Sequence, residues 1–502
     1  MVSDMQIPSE LLGDVFSDVQ SRRIFPDSKS FADAVPRREL SAIIADWKDR
    51  QPMGTAALRD FVTANFDIPG GGDAIPAIDD DFESYLSRAL AALTRSQSET
   101  AMASSAIALP RPFIIPGGRF REFYYWDSYF AMLGMADSGL QELVEDVIEN
   151  FGSLLDRFGM IPNASRSYYL SRSHPPVFYL AAQMSRDSSA KGRRRRLQWM
   201  MKEHAFWMDG EATLAPGQQY RRVVKLPNGT VLNRYWDDLD RPRDESWIED
   251  VELAKATPEG ARPALRRNLR AGAESGWDFS SRWLADGKSL DNICVTRILP
   301  VDLNCLLYGL ENAIARESAA LNLDLQACEF ALRAERRSAA IDRFLWNSRQ
   351  GFFADYWIDQ SAASDRLTAA AAFPLFVGQC SPEQARSTAE ALRKLLAPGG
   401  LLTTAVESGQ QWDAPNGWAP LQWVAFTGLH NFGEAKLADD IARRWVALVE
   451  RHYADSGQIM EKYDVVAEAA GGGGEYPVEV GFGWTNGVTI ALLKALRSRP
   501  AA

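Results

Sequence analysis

Apolar residues recur at three- and four-residue spacing over most of the chain beyond about residue 80. Segments 91–93, 128–158, 197–208, 295–315, 323–346, 382–396, 421–452 and 487–497 carry this pattern, which predicts helices with one buried stripe. In the segment 323–344 the stripe reads Leu325, Cys328, Phe330, Leu332, Ile341 and Phe344, with Arg and Glu between. Strand-like alternation is rare. Its best case is 221–231, a predicted small β-hairpin around Asn228-Gly229, a pair that tolerates the positive φ of a tight turn.

Long stretches rich in Gly, Pro, Trp and Tyr separate the helices. Loops of that length are uncommon in compact domains unless they work for a living site. Helices in pairs, joined on one side by aromatic loops, predict an all-α helical toroid whose mouth those loops line. No repeat of fixed period underlies the pairs. Residues 1–75 are mixed in character, with a glycine cluster at 70–72, and are expected to form an N-terminal extension packing on a catalytic domain of residues 76–502.

Composition narrows the function. The chain has 502 residues, 46% of them hydrophobic and 24% charged, with a net charge of −11. That balance fits a packed globular protein and argues against nucleic acid as a partner, since phosphate backbones are bound by clustered Lys and Arg. The one basic run, four arginines at 193–196, reads either as a solvated helix face or as a polyanion contact. No run of about 18 apolar residues predicts a membrane span. The first thirty residues carry Asp and Glu throughout and lack a basic start followed by an apolar stretch, so no leader is predicted. Cys294, Cys305, Cys328 and Cys380 have no C-x-x-C spacing, and the four histidines offer no zinc-ligand partners. The expectation is buried free thiols in a reducing, cytoplasmic compartment, with no metal and no cofactor. The run at 471–474 lacks the Lys-Ser/Thr and the preceding strand of a phosphate loop.

Fifteen tryptophans, many beside Asp, Glu, Arg and Asn, turn attention to sugars. A sugar offers apolar C–H faces to aromatic rings and a rim of hydroxyls to planar polar groups. Four regions are hard to read as core: PGGRFREFYYWDSY (116–129), ESGWD (274–278), QWDAPNGWAP (411–420), and EKYD (461–464) followed by GGGGEYP (471–477) and GFGWTNG (481–487). Each sets a carboxylate close to aromatics and glycines, and glycine lets the backbone approach a ligand closely.

These stretches resemble the trehalase family, glycoside hydrolase family 37, in order from Ile24 to Leu496. The resemblance implies an (α/α)6 barrel and the inverting hydrolysis of α,α-trehalose to two glucose molecules with no metal; a monomer is expected. It places the general acid at Asp278 and the general base at Glu461. Glu461 has near neighbours with which it can be confused, namely Asp464, Glu475 and Glu479; the family puts Glu475 in sugar binding. Substrate contacts carry over to Arg119, Trp126, Asp127, Asn163, Arg172, Ser173, Arg243, Glu245, Gly276, Glu475 and Trp484. An inverting pair must protonate the leaving oxygen and activate a water, which requires one carboxyl neutral and the other ionised. Trp277 beside Asp278 is expected to desolvate it and raise its pKa. Each arginine fits either vicinal hydroxyls or a structural ion pair, and the roles can coexist. Trp412 and Trp418 read equally as sugar platforms or mouth packing. The glycines at 471–474 read as a lid or a surface turn.

Two positions depart from the family pattern. His174 stands where Gln is usual, and Asp244 where Pro is usual. Both are expected at the sugar site, His174 adding a pH dependence and Asp244 disturbing Glu245. Two rival readings remain: another helical-barrel glycosidase acting on a different α-glucoside, and a trehalose-binding protein without turnover.

Overall fold

The computed structural model describes residues 7–70, 81–96 and 104–498. Residues 1–6 of the acidic start and Gly71 and Gly72 of the glycine cluster lie outside them. Among the described residues, twelve helices alternate between an outer and an inner position: α1 (Phe82–Ala92), α2 (Tyr125–Met135), α3 (Gln141–Phe158), α4 (Phe178–Gln183), α5 (Ala190–Trp207), α6 (Val301–Ala320), α7 (Asp324–Phe344), α8 (Phe373–Phe376), α9 (Pro382–Leu392), α10 (Ala419–Asn431), α11 (Ala435–Ser456) and α12 (Gly483–Arg497). The even-numbered helices touch in the order α2, α4, α6, α8, α10, α12, and α12 returns to α2. That closed ring of six, wrapped by the odd-numbered helices, is the expected (α/α)6 barrel.

Position in the ring explains the sequence patterns. Every residue of α2 except Leu133 is buried, because an inner helix meets neighbours on all sides. Outer α3 keeps one apolar stripe through Leu143, Val147, Phe151 and Leu154 and turns its carboxylates outward. The predicted segment 128–158 is two helices broken at Gly139, and 421–452 is two helices broken at Gly433; both glycines have positive φ, where an L side chain is strained. In α7 the buried stripe is Phe330, Ala334, Arg337 and Ile341, whereas Leu325 is 91% exposed and Leu332 51%. A charged residue hid the true stripe: Arg337 is buried because it forks onto Glu311 at 2.8 and 3.0 Å.

The predicted hairpin is present as Val223–Lys225 paired antiparallel with Val231–Asn233, extended by Gln219–Tyr220. The other sheets among the described residues are equally small and antiparallel. The arginine run lies on α5, where Arg193 pairs with Glu317 at 2.9 Å and Arg195 with Glu149, so it is an ion-paired helix face.

The N-terminal helices Asp14–Ser21, Leu40–Arg50 and Gly54–Asn65 gather around Phe16, Phe31, Phe61 and Phe66, and this cluster seats on Tyr124, Tyr168 and Tyr169 of the barrel. A buried ion network fastens the junction. Lys29 donates to Asp33 and, at 2.8 Å, to Glu122, while Arg166 bonds Glu122 at 2.8 and 3.0 Å. The connections at one end of the ring carry the segments singled out from the sequence, and they converge on one cavity.

Candidate active site

The cavity encloses about 700 Å³ of space, including its open mouth. Its wall includes Asp278 and Glu461 together with Arg119, Trp126, Asp127, Asn163, Arg172, His174, Arg243, Glu245, Gly276, Glu475 and Trp484. Two expected contacts are not on it. Ser173 is buried with its hydroxyl donating to the Ile161 carbonyl at 2.6 Å. Asp244 is buried and turned towards the N-terminal segment, accepting from the Ser9 N–H and hydroxyl at 2.8 Å each. Asp244 is thus a structural acceptor rather than a neighbour of the sugar.

Asp278 follows the helix Arg262–Glu274 through a left-handed turn at Gly276, φ 71°. A Cβ on Gly276 would stand 2.7–3.0 Å from the Trp126 indole, so this position requires glycine both for its φ and for the closeness of the ring. Asp278 keeps part of its surface open to the cavity. Enclosure by the walls pushes its pKa up to about 7, helped by the charge of Glu475 and opposed by Arg243. Desolvation thus raises the Asp278 pKa, with a neighbouring carboxylate added to it, while Trp277, expected to supply that desolvation, is not among the residues lining the cavity.

Glu461 stands at the start of the central strand Lys462–Asp464, which pairs with Asn416–Trp418 on one side and Ala469–Ala470 on the other. Its own N–H donates to the Glu479 carbonyl at 2.9 Å. Its side chain accepts from the Tyr476 hydroxyl at 2.9 Å and from the Lys462 ammonium at 3.0 Å. The two carboxylates thus occupy unlike surroundings, one crowded by negative charge and one held by donors.

Around them the wall is aromatic and polar by turns. Trp412 and Trp418 stack with centroids 3.9 Å apart and planes 2° from parallel, Trp277 stacks on Trp412, and Trp484 stands edge-on to the pair. Trp412 and Trp418 are packed on each other and also lie on the cavity wall. Of the arginines on the wall, Arg172 and Arg243 form structural ion pairs. Arg172 donates to Glu245 at 2.6 Å, and Arg243 bridges Asp250 at 2.6 Å and Glu475 at 2.8 Å. Burial pushes the Glu245 carboxyl up, but Arg172, Arg243 and Arg270 outweigh it and the net shift is downward.

Several wall atoms are buried with no partner among the described residues: Arg119 Nε, Arg172 Nε, His174 Nδ1 and Glu245 Oε2. Buried polar atoms are rarely left unsatisfied, and a ligand dense in hydroxyls supplies both donors and acceptors to such a set. His174 lies 4.0 Å from Asp127. Burial, then Arg172, hold its pKa well below the usual imidazole value, so it is neutral around pH 7 and adds no titration there. That corrects the pH dependence expected of it.

Sequence reasoning passed over Lys29, Phe120, Tyr124, Tyr169 and Tyr476, all on the wall. Phe120, Tyr124 and Tyr476 lie inside the quoted motifs. Lys29 comes from the N-terminal extension and carried no local signal.

A closed double ring of helices whose loop end holds a carboxylate pair within an aromatic, hydroxyl-matching cavity defines a helical-barrel glycoside hydrolase. The trehalase family model matches residues 23–497. The chain is 47% identical to the periplasmic trehalase of Escherichia coli O1:K1 over 97% of this chain and 87% of that one. It is 48% identical to the periplasmic trehalase of Salmonella schwarzengrund over 97% and 86%. Its structure is similar to the neutral trehalase of Saccharomyces cerevisiae, with TM-score 0.62, 26% identity and coverage of 83% and 80%. The chain belongs to the trehalase family, glycoside hydrolases that split α,α-trehalose into glucose. These bacterial relatives are named periplasmic trehalases, which overturns the cytoplasmic expectation. The cysteines are free as expected, but of the four only Cys294 and Cys305 are buried and Cys328 is exposed; a buried free thiol behaves as a small apolar side chain.

Proposed function

We propose that this chain hydrolyses α,α-trehalose with inversion, Asp278 serving as general acid and Glu461 as general base. The observation that carries the assignment is the opposed setting of the two groups in one cavity. Asp278, at about 7, is protonated in a useful fraction near neutral pH and gives its proton to the leaving glycosidic oxygen. Glu461, held by Tyr476 and Lys462, has lone pairs left to take a proton from the attacking water. That water adds to the anomeric carbon from the face opposite the leaving sugar. One glucose leaves as the α-anomer and the hydrolysed one is born β.

Asp127 is the rival acid, since its pKa is raised too. Burial lifts it well above the usual range, and Glu461 and Asp278 add to the shift. The family resemblance places the acid at Asp278 and puts Asp127 among the sugar contacts, so Asp127 is read as a hydrogen-bond partner of a sugar hydroxyl. Arg119, Arg172 and Glu245 take hydroxyls through their free buried atoms, and Trp126 and Trp484 cover C–H faces.

The functional unit proposed is a monomer in which residues 1–75 pack on the barrel of residues 76–502; Lys29 on the cavity wall supports treating the two as one enzyme. Proton NMR of the anomeric signals tests the chemistry in the first minutes after mixing with trehalose. Equal early α- and β-glucose is the expected result. α-Glucose alone rejects the inverting roles, and no glucose from folded protein rejects the substrate.

A further inference from the structure

Lys462 is wholly enclosed, its side chain 0% exposed, and it is absent from the cavity wall. A buried ammonium costs heavily unless paired and hydrogen bonded, so its partners disclose why it is there. One is Glu461 Oε2 at 3.0 Å; the other is the Gln411 side-chain carbonyl at 2.8 Å. The rings of Trp418 and Tyr476 flank it at 5.1 and 5.0 Å. Gln411 in turn donates its amide N–H to the main-chain carbonyl of Asp278 at 2.5 Å. Its own main-chain carbonyl accepts from Asn416 and from the Trp418 indole, both at 3.0 Å. One unbroken chain of hydrogen bonds therefore runs from the backbone of Asp278 through Gln411 and Lys462 to the carboxylate of Glu461, behind the cavity rather than through it.

The glycine run completes the arrangement. A Cβ on Gly471 would stand 2.8 Å from Lys462 Cγ, and one on Gly474 would stand 2.8–2.9 Å from the Gln411 side chain. Gly472 is tied to Asn416 by bonds of 2.7 and 3.2 Å. Gly471 and Gly474 thus pack closely against the two members of the strut.

We propose that Lys462 and Gln411 are positioning residues of the hydrolysis, a strut that fixes the Glu461 carboxylate in place and ties its position to the main chain of Asp278. The inference rests on the acid and base roles proposed above. In an inverting reaction the separation of the two carboxyl groups must admit one water, and a bonded strut sets that separation without entering the cavity. Tyr476, Asp127 and Glu479 also interact with Glu461; Asp127 and Glu479 are carboxyls and Tyr476 a phenol, and Lys462 is the cation bonded to it.

The test is the steady-state kinetics of Lys462→Met, Lys462→Arg and Gln411→Met on trehalose, with Glu461→Gln alongside. Lys462→Met is expected to lower kcat at least about ten-fold with KM held within about three-fold. Lys462→Arg keeps a cationic donor and is expected to recover most of that kcat. Gln411→Met is expected to lower kcat with KM likewise held, and it decides the matter if Lys462→Met does not fold; unchanged kcat there overturns the strut. A folded Lys462→Met with wild-type kcat also overturns it. Glu461→Gln separates the levels. If it loses turnover while Lys462→Met is unaffected, the base assignment stands and the strut falls; if it keeps turnover, the base assignment itself falls.

Discussion

The Glu475 carboxylate, held by Arg243 at 2.8 Å, acts electrostatically on Asp278 and raises its pKa. The acid works only while protonated, so kcat/KM should fall as the pH rises through about 7. Glu475→Gln removes the repelling charge and leaves Arg243 with one carboxylate fewer to balance. Both changes favour ionised Asp278. The falling limb should therefore move to lower pH, by about one unit. A pH series of initial rates on trehalose checks it, and a limb moving upward contradicts the assignment of Asp278.

Removing either proton-transfer group should cost far more than changing a contact. Asp278→Asn and Glu461→Gln preserve shape and lose the proton chemistry, so kcat should drop about 10²–10⁴-fold while trehalose affinity stays near its wild-type value. Calorimetric titration of the variants with trehalose, beside glucose release, separates these effects. Asp127→Asn should lose less turnover than either, since Asp127 is argued to bind rather than to transfer a proton.

Ser9 and Asp244 join the N-terminal helix Pro8–Leu12 to the loop that carries Arg243 and Glu245. Asp244→Ala leaves the Ser9 N–H and hydroxyl without their acceptor and should destabilise the protein by about 1–3 kcal/mol. Ser9→Ala removes one of the two bonds and should cost about 1 kcal/mol, with KM unchanged because neither residue reaches the cavity. Urea unfolding with KM measured in parallel checks both. Enclosure, chiefly, raises Asp244 to about 6. The folded state therefore holds that proton more tightly than the unfolded chain, and the contribution of this group to stability falls as pH rises from about 4 to about 6.

How far the sequence could be read follows from what kind of information each feature carries. The barrel was legible because helix periodicity survives in outer helices such as α3, and Asp278 and Glu461 stood out through the words around them. Arg337 was hidden because its burial depends on Glu311, a partner distant in the chain. Lys29 was missed for the same reason: its place on the wall follows from Asp33 and Glu122, which no spacing rule joins to it. Asp244 was misplaced because its neighbours Arg243 and Glu245 do line the cavity, and adjacency in a tight 3-10 turn (Asp244–Ser246) sends successive side chains in different directions. The breaks at Gly139 and Gly433 were readable in principle, since glycine between two apolar-periodic stretches is an ordinary helix stop.

His174 offers a test in which no change is the informative result. The residue is 6% exposed, with the Nδ1 atom unpartnered and Asp127 4.0 Å away. Burial and the Arg172 cation keep the imidazole neutral, and a neutral ring donates from one nitrogen and accepts at the other. Gln offers the same pair of functions on a side chain of similar reach. His174→Gln should therefore leave both limbs of the pH profile where they are and change KM by less than about ten-fold, the worth of roughly one neutral hydrogen bond. A shift of either limb in that variant would show that the imidazole titrates in the working range and would restore the pH role that the buried geometry argues against.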